Sequence, residues 1–142
     1  MRRAASDPEL AEALLELCCV IEGIRGTTSR EFGLTPQQAQ LLTTVAPQEL
    51  THGELASRLH CDKTNITGLV DRLVRRGLVR RQPDPVDRRA VKVSLTDQGT
   101  ELVTRFRESV STALTGHLAS WPAARHQQLV TLARTATEAL SM

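Results

Sequence analysis

Aromatic residues and uninterrupted apolar runs are scarce in this chain of 142 residues. Aromatic residues make up 2% of the sequence and none is tyrosine, which argues against binding single-stranded bases because that mode depends on aromatic platforms. The apolar residues near the N-terminus are periodic rather than continuous, so the sequence predicts neither a signal peptide nor a membrane span. Three cysteines without an export signal argue against a disulfide framework. We therefore expect a cytoplasmic protein with no membrane partner.

Motifs of enzyme chemistry are missing as well. The sequence has no nucleophile elbow, no glycine-rich loop that would cradle a phosphate, no metal-ligand pattern and no pair of catalytic carboxylates. His52, His60, Cys61 and Asp62 are close in the sequence, but their spacing matches no zinc pattern, and Asp62 is better placed to cap a helix. We therefore predict no catalytic residue, no cofactor and no metal site.

The positive charge is concentrated in one segment. Residues 62–92 contain nine lysines and arginines against four aspartates, whereas the rest of the chain has nine basic residues against twelve acidic ones. The segment therefore carries a net charge of +5, which the overall +2 conceals. Such a separation is expected where a polyanion is bound at one place, and the alternative is a solvated charged helix. Because single strands are disfavoured, the predicted partner is duplex DNA.

Helical periodicity covers the first part of the chain, from about residue 8 to residue 32. One apolar stripe contains Leu10, Leu14, Leu17, Ile21 and Ile24, and a second row contains Ala11, Leu15, Cys18 and Cys19. A helix that is apolar over more than one stripe needs two packing partners. We expect these partners to be the chain's own domain and a second subunit, so the pattern indicates a homodimer.

Capping signals divide the middle of the chain into helices. The segments TPQQ at Thr35 and THGE at Thr51 are capping boxes, and they predict helices that run to about residues 45 and 59. Asp62 is positioned to cap a third helix, which Gly77 ends. The inner face of this third helix is formed by Ile66, Leu69, Val70 and Leu73.

Two short alternating segments, LVRR and VKVSL, then predict strands joined by the loop QPDPVDRRA. Thr96 is expected to cap a long helix that extends through Leu118, and a last helix follows Pro122. The predicted fold class is mainly α with a small antiparallel β wing, a winged helix-turn-helix plus a helical dimerisation region. We predict a single domain over residues 1–142, in which residues 35–96 form the DNA-binding lobe and residues 8–34 and 97–142 form the dimerisation region.

The most specific signal is carried by three stretches, LTPQQAQLLTTV, LTHGELASRLHCDKTNITGLVDRLVRRGLV and DPVDRRAVKVSLTDQG. Together they resemble the MarR family of bacterial transcriptional regulators, above all in the Asp-x-Arg wing tip that is followed by a strand, Leu-Thr and a helix start. The resemblance implies a homodimeric regulator of transcription, expected to be a repressor, with a winged helix on each side and a pseudo-palindromic operator. It also implies a response to a small apolar or aromatic effector or to an oxidant.

The predicted DNA contacts follow from helix periodicity and from this resemblance. Off the apolar stripe of the third helix, the residues that we expect to face a major groove are Lys63, Thr64, Asn65, Thr67, Gly68 and Arg72. Arg75, Arg76 and Arg88 are predicted to contact the phosphate backbone. In the wing, the resemblance assigns Arg89 to the minor groove and Asp87 to its orientation.

Alternatives stay open for several of these residues. Thr64 could act as a local cap, Asp71 could form an i,i+4 pair with Arg75, and Asp87 could pair with Arg89. A winged helix used for protein recognition is an alternative for the whole site.

Cys18 and Cys19 are possible redox residues, because some relatives sense peroxides through a cysteine near the end of the first helix. The missing tyrosines depart from that pattern, and free cysteine is most often a small buried apolar residue. A redox-sensing regulator of the same fold is therefore the alternative to a ligand-responsive one.

Overall fold

The structure is a computed structural model that describes the backbone of residues 3–141 and the side chains of residues 7–141. Within that range the helices are α1 (Arg3–Glu31), α2 (Pro36–Val45), α3 (His52–Leu59), α4 (Lys63–Arg75), α5 (Asp97–Gly116) and α6 (Ala123–Leu140). The strands are β1 (Leu50–Thr51), β2 (Val79–Pro83) and β3 (Val91–Leu95). The predicted fold class is confirmed. Residues 1, 2 and 142 of the predicted domain lie outside the described residues.

Local hydrogen bonds begin α2, α3 and α4 at the predicted positions. The Gln38 amide donates to Thr35 Oγ1 over 3.1 Å, and the Thr35 amide donates to Gln38 Oε1 over 3.0 Å. The same reciprocal pair joins Thr51 and Glu54, and the bond from the Thr51 amide lowers the pKa of the Glu54 carboxyl. Asp62 accepts from the amide three residues further on over 2.8 Å. These bonds satisfy amides that a helix start leaves unpaired.

The core lies between α2, α3, α4 and the sheet. The inner face of α4 is buried as predicted, with Ile66, Val70 and Leu73 at 0% exposure. His60 lies at the turn between α3 and α4 and adopts a left-handed conformation, with φ of 54°. This conformation reverses the chain within a few residues, so the two helices pack as a helix-turn-helix with the other face of α4 outside.

The sheet has three antiparallel strands in the order β1-β3-β2, one more than the sequence predicts. In the added strand β1, Leu50 and Thr51 pair with Val93 and Lys92 of β3. A strand of two residues has too little alternation for a sequence pattern to detect. Between β2 and β3, residues 84–90 form the wing loop.

Helix α1 differs from the prediction in its start and in its burial. It begins at residue 3 instead of about residue 8, so Pro8 lies inside the helix. The apolar residues of its first half are uncovered in the single chain, where Leu10 is 60% and Leu15 is 70% exposed. The helix becomes buried toward its end, at Thr28 and Ser29. The expected packing on the chain's own domain is therefore confined to the last turns of α1.

The C-terminal helices match the prediction with one correction. Thr96 accepts from the Gly99 amide over 3.0 Å at the start of α5, as predicted. Leu118, expected within that helix, lies beyond its end in the turn ahead of Pro122, because α5 ends at Gly116 and glycine has a low helix propensity. The chain divides into two compact units, one up to residue 110 and the other from residue 111.

Candidate nucleic-acid interface

The outer face of α4 carries the predicted major-groove residues. Burial of the apolar face turns the opposite face outward, and the exposed predicted residues there are Lys63, Thr64, Asn65, Thr67 and Arg72. Gly68 is half-buried, yet a Cβ added to it would meet no atom within 4 Å. The described part of the chain therefore leaves this face of α4 uncovered at Gly68.

The polar residues Thr64 and Thr67 near the start of α4 differ in their partners within the chain. The Thr67 hydroxyl donates to the Lys63 carbonyl over 2.9 Å, and it lies 3.4 Å from Nδ1 of His52 at the start of α3. The capping bond at the start of α4 comes from Asp62, so the chain does not need Thr64 for that role. Thr64 thus keeps an exposed hydroxyl, whereas that of Thr67 is partly committed.

An ion pair connects α4 to the base of the wing. The Asp71 carboxylate accepts a hydrogen bond from the Arg81 guanidinium of β2, and this bond lowers the pKa of Asp71. The alternative pair between Asp71 and Arg75 is not the one formed. Because the two ends of the observed pair lie on different elements, it restrains the wing strand relative to α4.

The wing loop is shaped by two aspartates that bind main-chain amides. Asp84 accepts from the Val86 amide over 2.9 Å, and Asp87 accepts from the Arg89 amide over 3.1 Å. Asp87 therefore binds the main chain of Arg89, and no ion pair joins their side chains among residues 7–141. The guanidiniums of Arg88 and Arg89 stay exposed at the tip.

A groove of about 410 Å³ lies between α4, the start of α3 and the wing. Three cationic residues border it, Lys63 from α4, Arg81 from β2 and Arg89 from the wing. His52 also lines it, and burial together with the positive charge of Arg81 lowers the pKa of this histidine. Its Nε2 has no hydrogen-bond partner among the described residues. The groove therefore concentrates positive charge where the helix and the wing meet.

Sequence reasoning missed Arg81 and His52 as parts of this surface. Arg81 entered only the count of basic residues, and His52 was considered only as a zinc ligand. Both reach the groove through strand and helix packing, for which the local sequence has no signal. Within residues 7–141, no three His, Cys, Asp or Glu side chains come together as metal ligands.

The predicted backbone contacts differ in their surroundings. Arg75 and Arg76 are both exposed, and Nη1 of Arg76 also donates to the Gly33 carbonyl, in the turn between α1 and α2, over 2.8 Å. Elsewhere, the thiols of Cys18 and Cys19 are exposed. No helix in the described part of the chain is long and apolar enough to cross a membrane.

Comparison with known proteins identifies the family. Residues 32–90 match the sequence profile of the MarR family. Transcriptional regulator AdcR of Streptococcus pneumoniae is 31% identical over 99 residues, which cover 68% of each chain. The chain belongs to the MarR family. An uncharacterized HTH-type transcriptional regulator of Bacillus subtilis, YkoM, is 37% identical over 81 residues, and the match covers 55% of this chain and about half of YkoM.

The same MarR fold is found in a solved structure. A MarR family protein from Bacillus stearothermophilus superimposes with a TM-score of 0.91 over 100% of both chains, at 22% identity, which establishes the fold alone. Members of the MarR family are DNA-binding transcriptional regulators that function as dimers, and they are not enzymes. The predicted resemblance is therefore confirmed, and so is the prediction of a regulator rather than an enzyme.

Proposed function

We propose that the chain is a homodimeric, ligand-responsive repressor that binds a pseudo-palindromic DNA duplex sequence-specifically. The observation that carries this proposal is the shared groove, which the start of α4 and the wing border through Lys63 and Arg89. A helix in a major groove and a wing in the neighbouring minor groove must lie side by side in this way. The net charge of +5 over residues 62–92 favours a polyanionic partner.

In this proposal the exposed face of α4 reads the bases. The amide of Asn65 suits adenine, and Lys63 and Arg72 suit guanine or the backbone. Thr64 contacts a base methyl group or a phosphate, and Thr67 presents its methyl group because its hydroxyl is bonded to a carbonyl. Specificity then resides in the first turns of the helix.

The arginines at the edges of this surface hold the backbone and the minor groove. Arg75 and Arg88 are exposed and are assigned to phosphates. Arg89 is assigned to the minor groove, where a guanidinium gains from the concentrated negative potential. Asp87 supports that contact by binding the Arg89 amide and shaping the turn.

A second copy of the chain is the proposed partner of α1. Leu10, Leu14 and Leu17 share one stripe of α1 and are 60%, 40% and 51% exposed, and apolar surface of this kind marks an interface. If a two-fold axis relates two such α1 helices, the two α4 helices would enter successive major grooves. The half-site centres would then lie about one helical turn, or ~10 bp, apart.

The proposed signal is a small apolar or aromatic effector, and the proposed location is the cytoplasm. Such a ligand releases DNA only if it binds the two arrangements of the dimer with different affinities. The redox alternative is favoured by one observation, the exposure of Cys18 and Cys19. Treatment with a hydroperoxide tests it. If both thiols react, as mass spectrometry would show, and operator binding is unchanged, the redox alternative is wrong.

The DNA-binding proposal is tested by selecting bound fragments from genomic DNA and then measuring affinity as salt rises. We compare Arg89→Ala with Arg134→Ala, a control that removes an exposed arginine of α6. Arg89→Ala should weaken operator binding by about 5- to 150-fold and lower the salt slope by about one per subunit. The control should leave both unchanged.

Two results would contradict the proposal. If Arg89→Ala binds the selected duplex as tightly as the wild type, the wing does not hold DNA. If the wild type selects no fragment, or if binding barely depends on salt, the winged helix serves protein recognition instead. The position of the selected operator relative to its promoter, followed by transcription in vitro, tests the repressor role.

A further inference from the structure

Two helix ends meet at the contact between Arg76 and Gly33. Helix α1 ends in a turn in which Gly33 has φ of +70° and the Leu34 amide donates to the Ser29 carbonyl over 2.8 Å. Helix α4 ends in the same manner, with φ of +73° at Gly77. Nη1 of Arg76, the C-cap residue of α4, donates to the Gly33 carbonyl over 2.8 Å. The main chain is thus well defined on both sides of this bond.

The contact has favourable electrostatics. The last carbonyls of a helix carry partial negative charge, so a guanidinium at the end of α1 is stabilised by charge as well as by the hydrogen bond. A Cβ at Gly33 would stand 3.7 Å from Nη2 of Arg76, which is an ordinary van der Waals distance. A residue with a side chain at position 33 would have to adopt an unfavourable positive φ.

Apolar contacts also hold this turn on the chain's own domain, since Leu34 is buried in the core and Phe32 packs against it. Among the side-chain hydrogen bonds of the described residues, that of Arg76 is the one that joins α4 to the α1–α2 turn. On the other side of the turn, Phe32 packs edge-to-face on Phe106, with 5.8 Å between ring centroids, and Arg105 lies 5.6 Å from the Phe32 ring. Since the first half of α1 is exposed, the helix is attached to the lobe at this turn.

We propose that Arg76 is a positioning residue that sets the direction of α4 relative to α1, and through it the distance between the two recognition helices. The inference rests on the proposed function, in which α1 joins two copies and α4 enters DNA. Arg76 holds the rear end of α4, opposite the residues assigned to base contact. At about 1.5 Å per residue, 13 residues span ~20 Å, so a tilt of ~10° about the rear end moves the front by ~3 Å. That displacement approaches the rise of one base pair.

The test measures binding to operators whose half-sites are moved apart or together in steps of one base pair. The variants are Arg76→Ala, Arg76→Lys and the matched control Arg75→Ala, which removes an exposed arginine one residue away. Arg76→Ala should reduce the discrimination between spacings by about 3- to 10-fold, while the salt slope and the affinity for a single half-site stay unchanged. Arg76→Lys should restore part of the discrimination, because an ammonium can still donate to the carbonyl.

The control distinguishes positioning from charge. Arg75→Ala should keep the preferred spacing, with a reduced salt slope if it contacts phosphate. If Arg76→Ala weakens all operators equally and lowers the salt slope, Arg76 is a phosphate contact and the inference is wrong. Unchanged discrimination in a folded Arg76→Ala variant, or an Arg76→Lys variant that discriminates no better than Arg76→Ala, would also overturn it. A wild type that binds no duplex would overturn the proposed function together with the inference, whereas the other outcomes leave that function standing.

Discussion

Replacing Gly68 by alanine should stabilise the protein and weaken DNA binding at the same time. Gly68 lies in the middle of α4, where glycine costs about 0.5–1 kcal/mol relative to alanine. A Cβ there would meet no atom within 4 Å, so no clash offsets the gain. For a chain of this size, ~1 kcal/mol raises the melting temperature by about 3–4 °C. Thermal unfolding followed by circular dichroism measures this change.

Operator binding should respond in the opposite direction. In the proposed complex Gly68 faces the major groove, and its missing side chain allows close approach. A methyl group would force α4 outward and lengthen the neighbouring base contacts, at a cost of about 1–3 kcal/mol, which is ~5- to 150-fold in affinity. Titration of the selected duplex measures the loss, at a salt concentration held equal for all variants.

Gly23→Ala is the matched control. Gly23 also lies inside a helix, α1, and a Cβ there would meet no atom within 4 Å in the single chain. This variant should gain similar stability and bind a duplex with a single half-site as the wild type does, because that measurement does not depend on the contact between two copies. A stabilised Gly68→Ala variant with unchanged operator affinity would refute the DNA-facing role of Gly68. A variant without the stability gain would show that the space around Gly68 is not open.

Two further predictions concern the fold around the site. Because burial and Arg81 lower the pKa of His52 below 6.5, the unfolded chain binds more protons just below that pH, so stability should fall as pH drops through this window. Chemical denaturation at about pH 7.5 and 5.5 measures the free energy of unfolding, which should fall less between these two pH values in His52→Gln than in the wild type. An equal fall in both proteins would contradict the role of His52 in this pH dependence. Gly99→Ala would place a Cβ 2.0 Å from the Leu78 carbonyl oxygen. This overlap should lower the free energy of unfolding by about 1–3 kcal/mol. An unchanged melting temperature would show that the main chain can move aside.

The helix boundaries of the DNA-binding lobe were predictable because their causes are local. Each capping box spans four residues, so Thr35 and Thr51 mark helix starts without help from the rest of the chain. The apolar period of α4 likewise specified its buried face. The strand β1 was not predictable, since it exists through its pairing with β3.

The candidate site was predictable in its outline but not in its connections. The exposed face of α4 follows from periodicity, and the roles of Asp87 and Arg89 came from the family resemblance. The sequence did not predict which group Asp87 binds, because its hydrogen bond to the Arg89 amide depends on the turn geometry of the wing. That turn geometry is not specified by the residue types alone.

The sequence by itself determined the family, the fold class, the helix starts and the segment that holds the positive charge, because these depend on neighbouring residues and on periodicity. Only the tertiary structure decided how that charge is arranged. It brought Arg81 to Asp71 across ten residues and Arg76 to Gly33 across 43. Bonds between residues so far apart depend on packing of whole elements, and the local sequence does not encode which distant partner a side chain will meet.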